Sequence, residues 1–221
     1  MNRNYQKELE RLILQLNREQ EGTDGADGWI PRLLLHSCCA PCSSYVLEYL
    51  SDYFSITVFY YNPNITDPEE YQKRVEEQKR LISELPVKYP ISFIEGEYEP
   101  QAFTEIARGL EQVPEGGERC FKCYRLRLEK TARLAKEKGY DYFTTTRTIS
   151  PLKNAHKLNE IGEELAEQYD CQFLNSDFKK RNGYKRSTEL SKEYGLYRQD
   201  YCGCIYSKQE RDRRVQSRAE G

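Results

Sequence analysis

Short apolar runs alternate with longer, charged, helix-like stretches along most of this chain, and that alternation narrows the fold more than any other feature. Leu33-Leu34-Leu35-His36 and Ile56-Thr57-Val58-Phe59-Tyr60-Tyr61 read as buried strands, and Ile91-Ser92-Phe93-Ile94 as a shorter one. After the first strand, residues 45–50 have helical character with Pro41 near the start; a charged helix capped by Asp67 runs from Pro68 to about Leu85. The second half repeats the pattern with a helix from Cys120 to about Lys138 stopping at Gly139, a strand at 142–146, a helix at 159–169 and a strand at 171–174. Strands and helices alternating at these lengths predict an α/β fold with a largely parallel sheet.

With 221 residues, a chain can bury a real core without disulfide staples. Charged residues make up 32%, and no run approaches the ~20 apolar residues of a membrane span, so membrane partners are excluded. The opening MNRNYQKELERLILQLNREQ is charged throughout and unlike a secretory signal, so a cytoplasmic protein with reduced thiols is expected. Within it, Leu9, Leu12, Ile13 and Leu16 have helical spacing, and EGTDGADG follows as a linker. The expected organisation is an N-terminal helix and linker (1–28) tied loosely to a main domain (29–207), then a basic tail (208–221). Whether the helix docks on the main domain or binds a partner is open at this stage.

Seven of the eight cysteines fall into three tight groups: Cys38-Cys39-x-x-Cys42, Cys120-x-x-Cys123 and Cys202-x-Cys204. Thiolates one or two residues apart can converge on one ion or cluster, and groups this far apart in sequence require the fold to assemble the site. The first group follows the first strand, where ligands gather in parallel sheets; the second opens a helix, whose N-terminal amides favour anionic sulfur. A structural zinc uses four ligands, whereas seven grouped thiols and the adjacent Cys38 and Cys39 favour iron–sulfur. Cys202-Gly203-Cys204 reads either as a strained, redox-active disulfide or as further metal ligands. Cys171 stands alone and reads as a buried structural thiol.

The Cys-Cys-Ala-Pro-Cys after an apolar strand, Arg119-Cys120-Phe121-Lys122-Cys123-Tyr124-Arg125-Leu126-Arg127-Leu128, Ile149-Ser150-Pro151-Leu152-Lys153-Asn154, and Asp177-Phe178-Lys179-Lys180 leading to Tyr197-Arg198-Gln199-Asp200-Tyr201-Cys202-Gly203-Cys204 together resemble the epoxyqueuosine reductase QueH family, over roughly residues 33–207. The resemblance implies a cobalamin-independent oxidoreductase that removes the epoxide oxygen of epoxyqueuosine in the anticodon loop of tRNA, the last step of queuosine synthesis. It implies a 4Fe-4S cluster on Cys38, Cys39, Cys120 and Cys123, a second, mononuclear iron for which Cys42 is free, and Cys202 with Cys204 as a redox pair. Asp177, His36 and Tyr124 are candidate proton donors or outer groups, with Asp177 an alternative iron ligand; a packed, hydrogen-bonded role suits His36 better, and a turn or cap suits Asp177 equally well. An electron donor of unidentified kind is required.

Charge agrees with an RNA partner. Lys179-Lys180-Arg181 and Lys185-Arg186 with Tyr184 between them suit phosphates and an unpaired base, Arg125 lies beside the second cysteine pair, and Arg147 and Lys153 are near in sequence. Strand, loop and helix with cysteine pairs suit a Rossmann-like, adenine-nucleotide alpha-hydrolase-like core with helices on both faces, which is the expected fold class. That architecture also admits an ATP-dependent tRNA thiolase, although His36-Ser37-Cys38-Cys39-Ala40-Pro41-Cys42-Ser43 has no glycine for close pyrophosphate approach. A zinc-stabilised RNA-binding module is the non-enzymatic alternative.

Overall fold

The computed structural model describes residues 3–21 and 29–219. Five strands form one parallel sheet in the order β3-β2-β1-β4-β5, with β1 Arg32–His36, β2 Ser55–Tyr60, β3 Ser92–Glu95, β4 Tyr142–Thr145 and β5 Gln172–Phe173. Eight α-helices surround it among the described residues: α1 Tyr5–Glu21, α2 Ala40–Leu50, α3 Pro68–Glu84, α4 Pro100–Ala107, α5 Glu118–Lys138, α6 Ala155–Tyr169, α7 Gly183–Glu193 and α8 Ile205–Ala219.

β1 is central, with Leu33 in register with Ile56 of β2 and with Tyr142 of β4. Its unbroken apolar run follows from burial on both faces. Leu33 and Leu35 point into a core shared with α1, α2 and α3, while Leu34 faces Leu128 and Ala132 of α5 and Leu158 and Ile161 of α6. Helix starts obey local chemistry: the Asp67 carboxylate accepts from the Glu69 and Glu70 amides, and Asn154 accepts from the Lys157 amide at 3.0 Å. Gly139 ends α5 at φ +64°, where a side chain would be strained.

Several expectations change. The N-terminal helix is not loosely tied: Leu9, Ile13 and Leu16 are buried in the first core, and Arg3 bridges Glu8 and Glu163. The linker expected at 21–28 lies, apart from Glu21, outside the described residues. α6 begins at Ala155, earlier than the spacing indicated, and Thr146 leaves the fourth strand for a 3₁₀ turn, Thr146–Ile149. Cys171 precedes the two-residue β5 and is only partly buried. α4, α7 and α8 had no counterpart in the sequence reading; the basic segment after Asn182 and most of the C-terminal stretch are helical.

Candidate metal centre and its cavity

The turn from β1 into α2 presents the first thiol group. Cys39 is the extended residue before the helix and Pro41 sits in its first turn, so Cys38, Cys39 and Cys42 project near a helix N-terminus. Their sulfurs lie within 4.8 Å of one another. The turn is fixed from below: Gln78 Oε1 accepts from the Ser37 and Ser43 hydroxyls at 2.7 and 2.8 Å, and Asn62 Nδ2 donates to the Ser37 carbonyl at 2.8 Å. Hydrogen bonds from Cys39 and Cys42 hold Cys38 below the ordinary thiol value, while the same sharing pushes Cys39 and Cys42 up. Cys38 is thus the sulfur of the three that ionises most readily, with the other two thiols as its hydrogen-bond partners.

The first turns of α5 carry the second group. Gly116 N–H donates to Cys120 Sγ at 3.3 Å, and Arg127 Nη2 donates to the buried Cys123 sulfur at 3.1 Å. Arg127 Nη1 also donates to Asn62 Oδ1 at 3.3 Å, so Asn62 ties the two thiol groups together. Arg119, also buried, accompanies the cysteines and holds the carbonyls of Leu110 and Glu111, each at 3.0 Å.

The third group is clamped by side chains. The Cys202 carbonyl accepts from Asn64 Nδ2 at 3.1 Å and from Arg74 Nη1 at 3.4 Å, Arg74 being buried and paired with Glu70 at 2.6 Å. Gly203 has φ +105°, and a Cβ there would stand 2.8 Å from Ile65 Cγ1, so only glycine fits. Burial opposes charge on Cys202, but Lys153, Arg147 and Arg127 more than offset it and the thiol is lowered to about 7. Cys204, buried and beside Cys202, is raised to about 11. All eight cysteines are free thiols.

These groups open onto two adjoining cavities. A cavity of about 300 Å³ is lined by Cys38, Cys39 and Cys42, by Cys202, Arg147 and Lys153, and by the exposed Tyr184 and Arg198. A smaller one holds Cys120, Cys123 and Cys204 with Tyr124. Cys202, Arg147 and Glu115 belong to both. Four buried polar atoms of the lining lack partners: Tyr124 Oη, Arg147 Nε, Asn64 Oδ1 and Gln199 Oε1. The soft sulfurs of Cys38, Cys39 and Cys42 could hold a metal ion, and the unpartnered polar groups nearby are free to meet a polar ligand.

The seven grouped cysteines line these two adjoining cavities, and among the described residues only Cys38, Cys39 and Cys42 form a group of three or more ligand atoms within 4.8 Å of one another. Asp177 is elsewhere: its carboxylate pairs with Lys179 at 2.6 Å and borders neither cavity. His36 is packed, Nε2 donating to the Tyr61 carbonyl at 3.1 Å and Nδ1 accepting from Thr145 at 2.9 Å; burial first, then Arg127, lowers it to about 3 and keeps it neutral. Of the basic segment, Tyr184 reaches the larger cavity; Arg181 pairs with Glu10, Arg186 with Glu48, and Lys180 and Lys185 are exposed. Arg125 pairs with Glu164 and borders neither cavity. Sequence reasoning missed Arg74, Arg198, Asn62, Asn64 and Gln78. The available signal was position: Asn62 and Asn64 directly follow β2, at the carboxyl edge where ligands gather.

Comparison with known proteins bears on the same residues. The sequence model described as "Epoxyqueuosine reductase QueH" matches residues 33–210, which include every grouped cysteine. The chain belongs to the epoxyqueuosine reductase QueH family. It is 44% identical to the epoxyqueuosine reductase QueH of Staphylococcus epidermidis, over 92% of this chain and 84% of that one. It is 43% identical to that of Streptococcus pyogenes serotype M1 (94% and 80%) and 35% identical to that of Thermotoga maritima (81% and 91%). The expected family resemblance thus holds, and with it the assignment to an oxidoreductase. Among the described residues, no helix is long and apolar enough to cross a membrane.

Proposed function

We propose that this chain reduces epoxyqueuosine to queuosine in the anticodon loop of tRNA, in a reducing, cytoplasmic setting and without cobalamin. The observation that carries the reading is the convergence of three cysteine groups on adjoining cavities at the carboxyl edge of a parallel sheet. The strand order supports a Rossmann-like, adenine-nucleotide alpha-hydrolase-like core. The turn after β1 is filled by thiols and has no glycine, which speaks against ATP-dependent thiolation.

Cys38, Cys39, Cys120 and Cys123 would hold a 4Fe-4S cluster, and Cys42, beside Cys38 and Cys39, would hold a second iron. When bound, such a centre supplies single electrons and Lewis acidity. Opening the epoxide to the alkene consumes two electrons and two protons and releases water. Burial raises Tyr124 and keeps its hydroxyl protonated, and that unpartnered hydroxyl can deliver a proton to the departing oxygen. Cys202 at about 7 beside Cys204 at about 11 suits a dithiol that gives up two electrons and two protons as the two sulfurs join in a disulfide. An external electron donor then restores them. Tyr184 can stack an unpaired base while Arg198, Arg214, Lys180 and Lys185 meet phosphates. Asp177, Lys179, Arg181, Arg186 and Arg125 enter this interface only by releasing their present ion pairs.

The test is anaerobic turnover of epoxyqueuosine-containing tRNA with a chemical reductant, for the intact chain and for Cys120→Ala and Cys202→Ala. Conversion by the intact chain and loss in both variants is expected. A purified sample that contains only zinc and lacks iron–sulfur absorption contradicts the reading. A Cys202→Ala variant that keeps full rate over many turnovers removes the dithiol relay.

A further inference from the structure

Arg147 combines three properties that its fold position does not require. It is 4% exposed, and among the described residues its Nε is without a partner and the one hydrogen-bonding contact of its guanidinium is to Cys202 Sγ at 3.6 Å. Both carboxylates that line the larger cavity are paired with other cations, Glu115 with Lys153 and Asp200 with Arg211. A guanidinium cannot shed its proton, and burying it unpaired costs several kcal/mol, so the offsetting negative charge has to come from what surrounds it. What surrounds it is sulfur: Arg147 stands where the cavity of Cys38, Cys39 and Cys42 meets the cavity of Cys120, Cys123 and Cys204.

Its mounting is rigid. Arg147 lies in the 3₁₀ turn directly after β4, and its amide donates to Thr145 Oγ1 at 3.2 Å, the same hydroxyl that donates to His36. Its guanidinium sits over the Tyr124 ring at 5.0 Å, whose face attracts cations.

We propose that Arg147 is the counter-cation shared by the three thiol groups, a positioning residue that holds the Cys202 sulfur toward the centre and favours the centre's more electron-rich state. A fixed positive charge common to all the sulfurs stabilises each added negative charge, whichever sulfur carries it. The second arm of the test below rests on the proposed metal centre; the first does not.

Arg147→Gln and Arg147→Met remove the charge, and Arg147→Lys keeps it. The Met variant is expected to fold, because it removes a buried unpaired cation at similar volume. In the metal-free chain at neutral pH, alkylation of Cys202 read by peptide mass is expected to slow about threefold in the neutral variants and to recover in Arg147→Lys. In the iron-loaded chain, a potentiometric titration followed by electron paramagnetic resonance is expected to show reduction disfavoured about tenfold in the neutral variants, which is about 59 mV for a one-electron couple. Iron and sulfide content should be unchanged. Unchanged alkylation and potential, with KM for tRNA raised instead, overturns the proposal and makes Arg147 a contact for a substrate anion. A chain that takes up no iron refutes the metal-centre reading, and the alkylation arm then decides on Arg147 alone.

Discussion

The two walls of the thiol site are built in different ways. Cys38, Cys39 and Cys42 come from one strand-to-helix turn, and their sulfurs are gathered by the backbone of five residues on a foundation of Ser37, Ser43 and Gln78. Cys120, Cys123, Cys202 and Cys204 come from segments some eighty residues apart and are held by side chains: Arg127 on Cys123, and Asn64 and Arg74 on the Cys202 carbonyl. A locally built group persists as long as the sheet edge does. An assembled group depends on residues that carry no sulfur, so it can be dismantled without touching a cysteine.

The strongest way to break this comparison is Gly203→Ala. The φ of +105° and the 2.8 Å approach to Ile65 force the turn to move, so turnover is expected to fall about hundredfold while global stability falls only about 1–2 kcal/mol. Activity assays beside thermal unfolding read the two effects. A variant of full activity means that the turn tolerates displacement and is not preorganised.

Next in size is Arg127→Met, which strips the support from Cys123 and frees Asn62 Oδ1. Outer-group losses of this kind weaken metal affinity about 10–100-fold. Iron retained under chelator competition is the measurement, and retention equal to the unaltered chain shows that the assembled wall supports itself. Gln78→Leu probes the other wall. It leaves the Ser37 hydroxyl without its acceptor, whereas Ser43 keeps the Cys39 and Ala40 carbonyls. Chemical denaturation should show about 2 kcal/mol lost.

The smallest effect is on thiol reactivity. Cys202 is lowered to about 7, so its labelling should rise through pH 7 and fall about tenfold for each unit below it, while Cys204, at about 11, stays slow throughout. Lys153→Gln removes the largest lowering influence and should move the Cys202 midpoint upward, slowing labelling at pH 7 about fivefold. A midpoint that does not move shows that the cations of this wall do not act on Cys202.

The same contrast explains what was legible in the sequence. The Leu33–Leu35 run announced a central strand because both its faces are covered, and the Cys38–Cys42 turn announced itself because its ligands are neighbours in the chain. Convergence of the remaining thiols followed from their placement at a helix start and from the family resemblance. One support of each wall, Arg74 under Cys202 and Gln78 under the β1–α2 turn, was hidden in α3, which is charged enough to read as a solvated surface. Arg74 and Gln78 nevertheless lie three and seven residues after Tyr71, on the face that also buries Val75 and Leu81. α7 and α8 escaped notice because their polar residues outnumber the few positions they bury, among them Ser187, Leu190 and Ser207. Asp177 and the basic segment were placed by chain proximity, and local ion pairs take most of them away from the cavity.

The central claim is that sulfurs from all parts of the chain serve one centre. Anomalous diffraction at the iron edge, from crystals of the anaerobically loaded chain, tests it most directly. Iron peaks bonded to sulfurs of both the β1–α2 turn and the start of α5, with Cys202 facing them, is the result predicted. Iron confined to one wall, with the other wall's thiols bound to nothing or to zinc alone, would contradict it.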